Sequence, residues 1–302
     1  MKLGNILKNP YRIVNTLGYR GWLNWMADAP YLKLKYRGVT GRRLNLKDPK
    51  TFSEKIQWLK LYHRRPEHTI MVDKYAVKDY VKNIIGEEHI VPTYGVWDSF
   101  DQIDFDSLPE DFVLKCTHDS GGLVVCRDKR ALDMEAARKK ITECLKRNYY
   151  WQGREWPYKN VKPRVIAEKR MTDAYQRDGL TDYKFFCFNG EPRFLSVSFG
   201  LHDHATASSR FLTIDWQFAP FWRSDYPRLK ELPRKPDHYD RMLEFARTLS
   251  KDAPFVRVDM YEVDGKVYFS ELTFSPRGGM IPWAPAEWDE TFGSWIRLPE
   301  KK

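Results

Sequence analysis

Two carboxylates interrupt an apolar hairpin pattern late in the chain. The stretch from Arg257 to Gly279, RVDMYEVDGKVYFSELTFSPRGG, has two runs rich in Val, Tyr and Phe around Asp264-Gly265. This pattern predicts two strands and a tight turn, with Asp259 on the first strand and Glu271 on the second. Carboxylate oxygens with few histidines nearby suit Mg²⁺ or Mn²⁺ better than zinc.

The length of the hairpin loop decides whether these carboxylates can act together. A two-residue loop places Glu271 on the face opposite Asp259. A three-residue loop over residues 263–265, with its glycine in a bulge, makes Glu271 a diagonal neighbour of Asp259, about 7–8 Å away on one face. Arg257 and Thr273 then share that face. We therefore predict the three-residue loop; the alternative is an exposed face of solvated charge.

A lysine and two glycines form a second pattern that could hold phosphate. FVLKCTHDSGGLVV predicts a hairpin with Lys115 at the end of its first strand and Gly121 and Gly122 in its polar tip. Such a tip can direct backbone N–H groups at phosphate oxygens while the lysine adds a point charge. An ordinary hairpin turn is the alternative, because the Gly-Lys-Ser/Thr of a P-loop is missing here.

Charged residues lie at the end of one further predicted strand and within the next. In VIAEKRM, Glu168 directly follows an apolar run, where a carboxylate could accept a hydrogen bond from an adenine amino group. The alternative is a strand that simply emerges into water. DYKFF places Asp182 and Lys184 on one face of the next strand, where a surface ion pair is the alternative.

The elements that position these residues mix helices with antiparallel hairpins, which favours an α+β fold. Helical periodicity predicts a helix over residues 71–86 and three helices with side-chain caps. The expected caps are Ser53, Asp237 and either Leu132 or Asp133. Asn189-Gly190 predicts a further hairpin turn.

Composition excludes several classes of protein. Of 302 residues, 42% are hydrophobic and 15% aromatic, which indicates a folded globular chain. The net charge of +10 favours anionic partners, and no RRM, zinc-finger or helix-turn-helix signature points to nucleic acid. The sequence shows neither an apolar run of 18 residues nor a signal-peptide pattern, so we expect a cytoplasmic protein. Without CxxC spacing, we expect reduced, buried thiols at Cys116, Cys126, Cys144 and Cys187.

Residues 1–45 are basic and aromatic and suggest amphipathic helices. They could contact a membrane surface, at the inner face of the membrane for a cytoplasmic protein. The alternative is that their aromatic side chains pack onto the main domain.

Taken together and in this order, the motifs resemble the ATP-grasp superfamily. VDKYAVK, FVLKCTHDSGG, VIAEKRM, DYKFFCFNGEPRF and the hairpin that carries Asp259 and Glu271 are similar to its successive motifs. LKDPKTFSEKIQWLKLY and KCTHDSGG resemble the TupA-like branch, which is named after a teichuronopeptide-biosynthesis protein and associated with surface-polysaccharide gene sets. One departure is Thr273, which stands where the family usually has asparagine.

The resemblance implies two α+β subdomains that grip ATP, over residues 71–167 and 168–302, after a helical, basic extension over residues 1–70. It assigns nucleotide binding to Lys74, Lys115, Gly121, Gly122, Glu168, Lys169, Met171, Asp182 and Lys184. It places Mg²⁺ or Mn²⁺ on Asp259, Glu271 and Thr273. It implies that Arg257, Arg277 and Arg210 hold an acyl phosphate or a substrate carboxylate.

The activity implied by the resemblance is an ATP-dependent carboxylate–amine ligase that works through an acyl phosphate. The expected acid is a uronic acid of a surface polysaccharide or its precursor, and the partner is an amine or amino acid. One alternative is an ATP-grasp ligase with a peptide acceptor. Others are a non-catalytic scaffold and a glycosyltransferase, although the Asp-x-Asp at residues 104–106 lies in a predicted polar loop.

Overall fold

The structure, a computed structural model, describes residues 11, 13–172, 180–199, 208–225, 227–228 and 230–301. The helices are α1 (Ile13–Tyr19), α2 (Asp28–Thr40), α3 (Phe52–Tyr62), α4 (Pro66–Val72), α5 (Ala76–Ile85), α6 (Met134–Leu145), α7 (Tyr150–Gly153), α8 (Tyr239–Ser250) and α9 (Trp288–Trp295). The strands are β1 (Thr93–Trp97), β2 (Phe112–Cys116), β3 (Leu123–Cys126), β4 (Val165–Glu168), β5 (Asp182–Phe188), β6 (Glu191–Phe199), β7 (Ser208–Thr213), β8 (Trp222–Arg223), β9 (Phe255–Val263), β10 (Lys266–Thr273) and β11 (Trp283–Ala284).

The strands up to residue 168 and those from residue 182 form separate antiparallel sheets. The first sheet has the order β1-β4-β2-β3, and the second has the order β10-β9-β5-β6-β7. Strands β8 and β11 pair apart from both. Helices interleaved with antiparallel hairpins confirm the predicted α+β class. The subdomain boundaries at residues 70 and 167 remain predictions.

Helix α3 starts two residues earlier than its predicted cap. Thr51, not Ser53, occupies the N-cap and forms a capping box with Glu54: the Thr51 hydroxyl accepts the Glu54 N–H at 3.1 Å, and the Glu54 carboxylate accepts the Thr51 N–H at 3.2 Å. Ser53 instead donates its N–H and hydroxyl to Asp289 on α9, both at 2.9 Å. The prediction was wrong because a Thr-x-x-Glu box satisfies two backbone groups at once.

Of the other two predicted caps, one is confirmed and one is wrong. Asp133 caps α6, since its carboxylate accepts the Ala136 N–H at 2.9 Å. The prediction for Asp237 was wrong: α8 begins one residue later, and Asp237 binds Arg234 at 2.7 Å instead. A free carboxylate next to an arginine gains a charge-assisted bond that competes with a cap.

The predicted helix over residues 71–86 is two helices. It breaks at Asp73, whose carboxylate accepts the backbone N–H groups of Tyr75 and Ala76 at 2.9 and 3.3 Å and so favours a new start. In the break, the backbone N–H of Lys74 donates to the Thr117 carbonyl at 3.0 Å. This bond connects the start of α5 to the glycine-containing hairpin of β2 and β3.

Helix α3 belongs to the core of the second sheet. Phe52 is fully buried, and its ring centroid lies 4.9 Å from that of Phe255 on β9, nearly edge to face. The predicted reduced thiols are present: the cysteines at 116, 126, 144 and 187 are free and buried. Further toward the N-terminus, Tyr31 and Tyr36 are buried, whereas Trp22 and Trp25 are exposed.

His68 on α4 gives the stability of the fold a dependence on pH. Burial, assisted by the charge of His63, lowers the pKa of His68 to about 4. The unfolded chain takes up this proton near pH 6.5 and the folded chain does not. Stability is therefore lost as pH falls from 6.5 toward 4.

We expect His68→Phe to remove this loss, because a phenyl ring can keep the stacking on Phe274, whose centroid lies 4.4 Å away. Relative to wild type, the variant should gain about 2–3 kcal/mol in free energy of unfolding between pH 7 and pH 4. Urea unfolding at both pH values measures this. Parallel pH profiles for the two proteins would contradict it.

Candidate functional site

The carboxylate hairpin has a register that loop length alone did not predict. Its loop has two residues, Asp264 and Gly265, both with positive φ, so the predicted three-residue loop was wrong. The extra residue is Ser270, a bulge on β10 that brings Glu271 directly opposite Asp259. A bulge shifts the alternation of side chains by one residue. Both carboxylates consequently reach the same neighbour, Arg257.

Arg257 connects the four residues of the predicted polar face. Its guanidinium donates to both oxygens of Asp259, from Nε at 2.6 Å and from Nη2 at 2.5 Å. Nη2 also donates to Glu271 at 2.8 Å and to the Thr273 hydroxyl at 3.0 Å. The Thr273 hydroxyl in turn donates to Glu271 at 2.8 Å. The face is a closed hydrogen-bonded network around one buried cation.

Glu271 stays ionised in this network. Burial would raise the pKa of Glu271, but the charges of Arg257 and then Lys74 outweigh it and lower the value to about 2. The pKa of Arg257 is raised well above its ordinary value, because Asp259 overcomes the opposite effect of burial. A permanent carboxylate therefore faces the space between the two sheets.

That space is a cleft of about 280 Å³ between the β2–β3 hairpin and the β9–β10 hairpin. Five predicted residues line it: Lys74, Lys115, Gly122, Glu168 and Glu271. Lysines on one wall and a carboxylate on the other suit a ligand that carries both phosphate and a cation. In size it approaches the lower end of ligand pockets, which start at about 300 Å³.

Two lysines neutralise Glu168 at the inner end of the cleft. Its carboxylate is buried and lies 2.5 Å from Lys78 Nζ and 2.6 Å from Lys115 Nζ. Burial raises the pKa of Glu168, but Lys115 and Lys78 outweigh it, so the net shift is downward. Lys115 thus has an internal partner that a phosphate would have to share.

Some backbone N–H groups of the glycine hairpin already have hydrogen-bond partners within the hairpin. The backbone N–H groups of Ser120 and Gly121 both donate to the Asp119 carboxylate, at 2.5 and 3.1 Å. Gly122 is required by packing, since a Cβ there would collide with the sulfur atoms of Cys116 and Cys144. The side chain of Lys74 donates to the Asp119 carbonyl at 2.7 Å.

Five predicted nucleotide contacts do not line the cleft: Gly121, Lys169, Met171, Asp182 and Lys184. Lys169 is exposed and its N–H donates to the Pro92 carbonyl at 2.9 Å, while Met171 is half-buried two residues further on. Asp182 binds Lys184 at 2.8 Å, and both side chains are mostly buried, so they form no surface pair. Lys184 Nζ also lies 3.9 Å from Asp259.

The structure separates the other two predicted arginines. Arg277 lies near Arg257 in a neighbouring pocket and binds Asp225 at 2.8 Å. Arg210 lines neither that pocket nor the cleft; its guanidinium lies 4.4 Å from the Phe218 ring centroid. On β7, Arg210 points to the face opposite Ser209 and Phe211, because side chains alternate along a strand. Arg210 lines a small adjoining pocket with Ser209 and Arg223, and its predicted role at the site stays a prediction.

Arg277 sits in a loop with unusual backbone angles. Arg277, Gly278 and Gly279 have φ values of 51°, 65° and 77°. Helix α3 fixes this loop, since Lys60 Nζ and Gln57 Nε2 donate to the Gly278 carbonyl at 2.6 and 3.0 Å. A left-handed conformation at a non-glycine residue persists where its surroundings hold it firmly. Burial lowers the pKa of Lys60 to about 8, and the Lys60 side chain lies beside the buried Glu155.

The three predicted metal ligands differ in how well they could bind a hard divalent cation. Glu271 offers one carboxylate oxygen toward the cleft, and carboxylate oxygens suit Mg²⁺. Both oxygens of Asp259 bind Arg257, and the Thr273 hydroxyl is shared between Arg257 and Glu271. Within the described part of the chain, no three His, Cys, Asp or Glu side chains form a metal cluster. Glu271 is thus the ligand that fits best, with Asp259 behind it.

Sequence reasoning missed several cleft residues. Lys78 on α5 pairs with the cleft residue Glu168 from outside the cleft wall, and the sequence carries no signal for this pair. Asp119 is recognisable as the acidic residue of the glycine hairpin. Tyr261 lies two residues after Asp259 on β9 and so shares its face. Ser270, which donates to the Tyr261 hydroxyl at 2.9 Å on the cleft wall, had no signal, because only the bulge brings it there.

Two α+β halves that hold a lysine-rich cleft between a glycine hairpin and a carboxylate hairpin characterise the ATP-grasp class of ATP-dependent ligases. The sequence model of the TupA-like ATP-grasp family matches residues 54–297. Because this match covers most of the chain, the protein belongs to the TupA-like ATP-grasp family. The predicted resemblance is confirmed.

Solved structures of the same class show low similarity. A D-alanine–D-alanine ligase from Helicobacter pylori is 16% identical, with a TM-score of 0.44, over 81% of this chain and 69% of the other. The ATP complex of the Bacillus anthracis enzyme is 16% identical, with a TM-score of 0.37, over 68% and 54%. The ATP-grasp ligase PsnB, complexed with a phosphomimetic variant of its minimal precursor, Mg and ADP, is 11% identical, with a TM-score of 0.42, over 85% and 65%. The chain thus spans between about half and two thirds of their length. No curated protein sequence matches it.

Proposed function

We propose that the protein is an ATP-dependent carboxylate–amine ligase that acts on a uronic acid of a surface polysaccharide or its precursor. The observation that carries this proposal is the single cleft that holds Lys74, Lys115 and the ionised Glu271. Phosphate oxygens and a divalent cation need this combination of charges. Membership of the TupA-like family supports the choice of acid.

The reaction has two steps. An oxygen of the acid carboxylate attacks the γ-phosphorus of ATP, the bond to ADP breaks, and an acyl phosphate forms. The amine then attacks the acyl carbon, phosphate leaves, and the amine nitrogen loses a proton. Lys74, Lys115 and Lys184 would bind phosphate oxygens, and Arg257 and Arg277 would hold the acyl phosphate. The hairpin around Gly121 and Gly122 would exclude water from this labile intermediate.

A bound Mg²⁺, with Mn²⁺ as a substitute, would be held by Glu271 with Asp259 behind it and would spread the negative charge of the phosphates. Glu168, Lys169 and Met171 follow one another at the end of β4, where the adenine would lie. In this arrangement Lys115 exchanges part of its pairing with Glu168 for a phosphate oxygen.

The test of this function is a product assay. Purified protein is supplied with ATP, Mg²⁺, glucuronate or galacturonate, and a panel of amino acids and amines. We expect ADP and phosphate in equal amounts, released only when both an acid and an amine are present. Release of UDP from a UDP-sugar in place of ADP would replace the ligase with a glycosyltransferase. ADP released only with peptide substrates would favour the peptide-acceptor alternative.

Substitution of Lys115 tests the nucleotide site directly. We expect Lys115→Ala to weaken ATP binding about tenfold, because one charge-assisted contact to phosphate is lost. Titration calorimetry with ATP and Mg²⁺ measures the affinity. Lys82→Ala on α5 is the matched control, since Lys82 is half exposed, lies outside the cleft lining and binds Glu87. An unchanged affinity for Lys115→Ala would leave Lys115 with Glu168 as its sole partner.

We also propose that residues 1–45 contact an anionic membrane surface from the cytoplasmic side. Trp22 and Trp25 are 64% and 79% exposed, and such side chains suit a membrane interface. No helix in the described residues is long and apolar enough to cross a bilayer. We expect the protein to float with phosphatidylglycerol vesicles and the Trp22→Ser/Trp25→Ser variant to float less. Equal flotation of both proteins would contradict this contact.

A further inference from the structure

A second pocket, of about 100 Å³, lies against the cleft with Arg257 on its wall. We call it the serine pocket and define it by these lining residues: Ser196, Ser198, Ser209, Arg223, Arg257 and Arg277. Arg257 lines this pocket and also binds Glu271, which lines the cleft, at 2.8 Å. A ligand in the serine pocket would therefore lie next to the place where we propose the ATP phosphates.

The serine pocket has hydroxyl groups on a sheet face that is otherwise aromatic. Ser196 and Ser198 are buried on β6, and both bind Ser209 on β7, at 2.8 and 3.1 Å. Phe186 and Phe211 line the same pocket and belong to the aromatic core. Each hydroxyl has one donor and two acceptor positions, so these mutual bonds leave capacity for a ligand.

Cations surround the hydroxyl groups. Arg277 is half exposed and binds Asp225, and a guanidinium has five N–H donors, so one ion pair leaves donors for a ligand. Lys184 lines the pocket as well, and Arg223 binds the same Asp225 at 3.1 Å. Among the described residues that line the pocket, none is acidic. This favours a carboxylate over an amine, which would require acidic partners.

The rim of the pocket is held in place before any ligand binds. The loop that carries Arg277 has left-handed backbone angles and is fixed by the bonds from Lys60 and Gln57 to the Gly278 carbonyl. Arg257 is fixed by Asp259. Residues fixed in this way lose little freedom on binding, so more of the interaction appears as affinity.

We propose that the serine pocket binds the carboxylate-bearing end of a hydroxylated acid, with the arginines on the carboxylate and the serine hydroxyls on the ring hydroxyls. This inference rests on the proposed function and assigns its uronic acid to a defined site, with side chains that would recognise both the carboxylate and the ring hydroxyls. The volume suits one end of such a ligand, with the remainder extending outward. Ser196, Ser209 and Arg223 then determine specificity for the acid.

The experiment is calorimetric titration of the protein, saturated with a non-hydrolysable ATP analogue and Mg²⁺, with D-glucuronate. D-glucose and acetate serve as probes that lack the carboxylate and the hydroxyls respectively. We expect glucuronate to bind at least about tenfold more tightly than either, since a site with paired polar groups rejects analogues that leave them unpaired. Equal binding of the three probes, or no binding of glucuronate, would overturn the proposal.

Two variants locate the site. Ser196→Ala/Ser209→Ala and Arg223→Met should each weaken glucuronate binding about tenfold and leave affinity for the ATP analogue within about twofold. Arg241→Met, at an exposed ion pair with Glu244 on α8, is the control. The serine variant removes two mutually bonded hydroxyls and the Ser209 partner of Ser198, and it should melt within a few degrees of wild type, so it stays informative if Arg223→Met unfolds. Unchanged glucuronate binding in a folded serine variant would overturn the assignment.

Failure of this inference can be separated from failure of the proposed function. If glucuronate binds as expected but no amine gives ADP, the pocket stands and the ligase activity falls. If ADP is formed and the serine variant keeps the wild-type KM for the acid, the activity stands and the pocket assignment falls.

Discussion

Replacement of Glu271 by glutamine should reduce ADP formation about a hundredfold or more while the protein stays folded. Glutamine keeps the size of the side chain, and its amide oxygen can still accept the bonds from Arg257 and Thr273. What disappears is the negative charge that faces the cleft, and a neutral amide is a poor ligand for Mg²⁺. The effect should be the largest on activity of any change proposed for this chain.

The measurement is the steady-state rate of ADP release with saturating ATP, Mg²⁺ and the active acid–amine pair. Glu191→Gln is the matched control, because Glu191 is an exposed glutamate at the start of β6 that binds Arg247. Thermal unfolding shows whether both variants are folded. If folded Glu271→Gln keeps the rate of the control, Glu271 has no part in metal-dependent turnover.

Replacement of Arg257 by methionine should cause the largest loss of stability. Asp259 is 2% exposed, and Arg257 provides the positive charge that both Asp259 and Glu271 bind. Without it, the buried Asp259 carboxylate has Lys184 at 3.9 Å as its nearest described cation, and Glu271 keeps only the charges of Lys74 and Lys184. The loss of one member of a buried ion pair costs about 3–5 kcal/mol.

A double substitution separates lost charge from lost packing. Asp259→Asn in the Arg257→Met background removes one of the unpaired charges, so it should recover a measurable part of the lost free energy of unfolding. Urea unfolding of the single and double variants gives both values. Arg241→Met is the surface comparison and should cost less than about 1 kcal/mol. A cost for Arg257→Met no larger than for Arg241→Met would contradict the buried network.

The sequence allowed the chemistry of the site to be predicted better than its geometry. Residue types and order placed Asp259 and Glu271 on one hairpin, and the structure joins them through Arg257. The device that aligns them is the bulge at Ser270, and a bulge depends on how β10 fits β9 over its whole length. Loop composition carries no information on that fit.

Local competition explains the other differences. Ser53, Asp237 and Asp73 each carry a polar side chain with a choice of partners. Ser53 binds Asp289, which is distant in sequence, whereas Asp237 and Asp73 bind the nearby Arg234 side chain and Tyr75 N–H, respectively. The place of Arg210 could not be read for another reason: a position on a strand shows which residues share its face, but not which face meets the site. The partner of Ser53 and the face of a strand are decided by tertiary packing.

The break between α4 and α5 has a consequence for the width of the cleft. Val77 and Val81 on α5 are buried in the core of the second sheet, while the Lys74 N–H just before them binds Thr117 at the end of the first sheet. This link joins the two sheets through backbone atoms and does not depend on the Lys74 side chain. Substitutions of side chains on the wall should consequently change charge without changing the distance across which a nucleotide must reach.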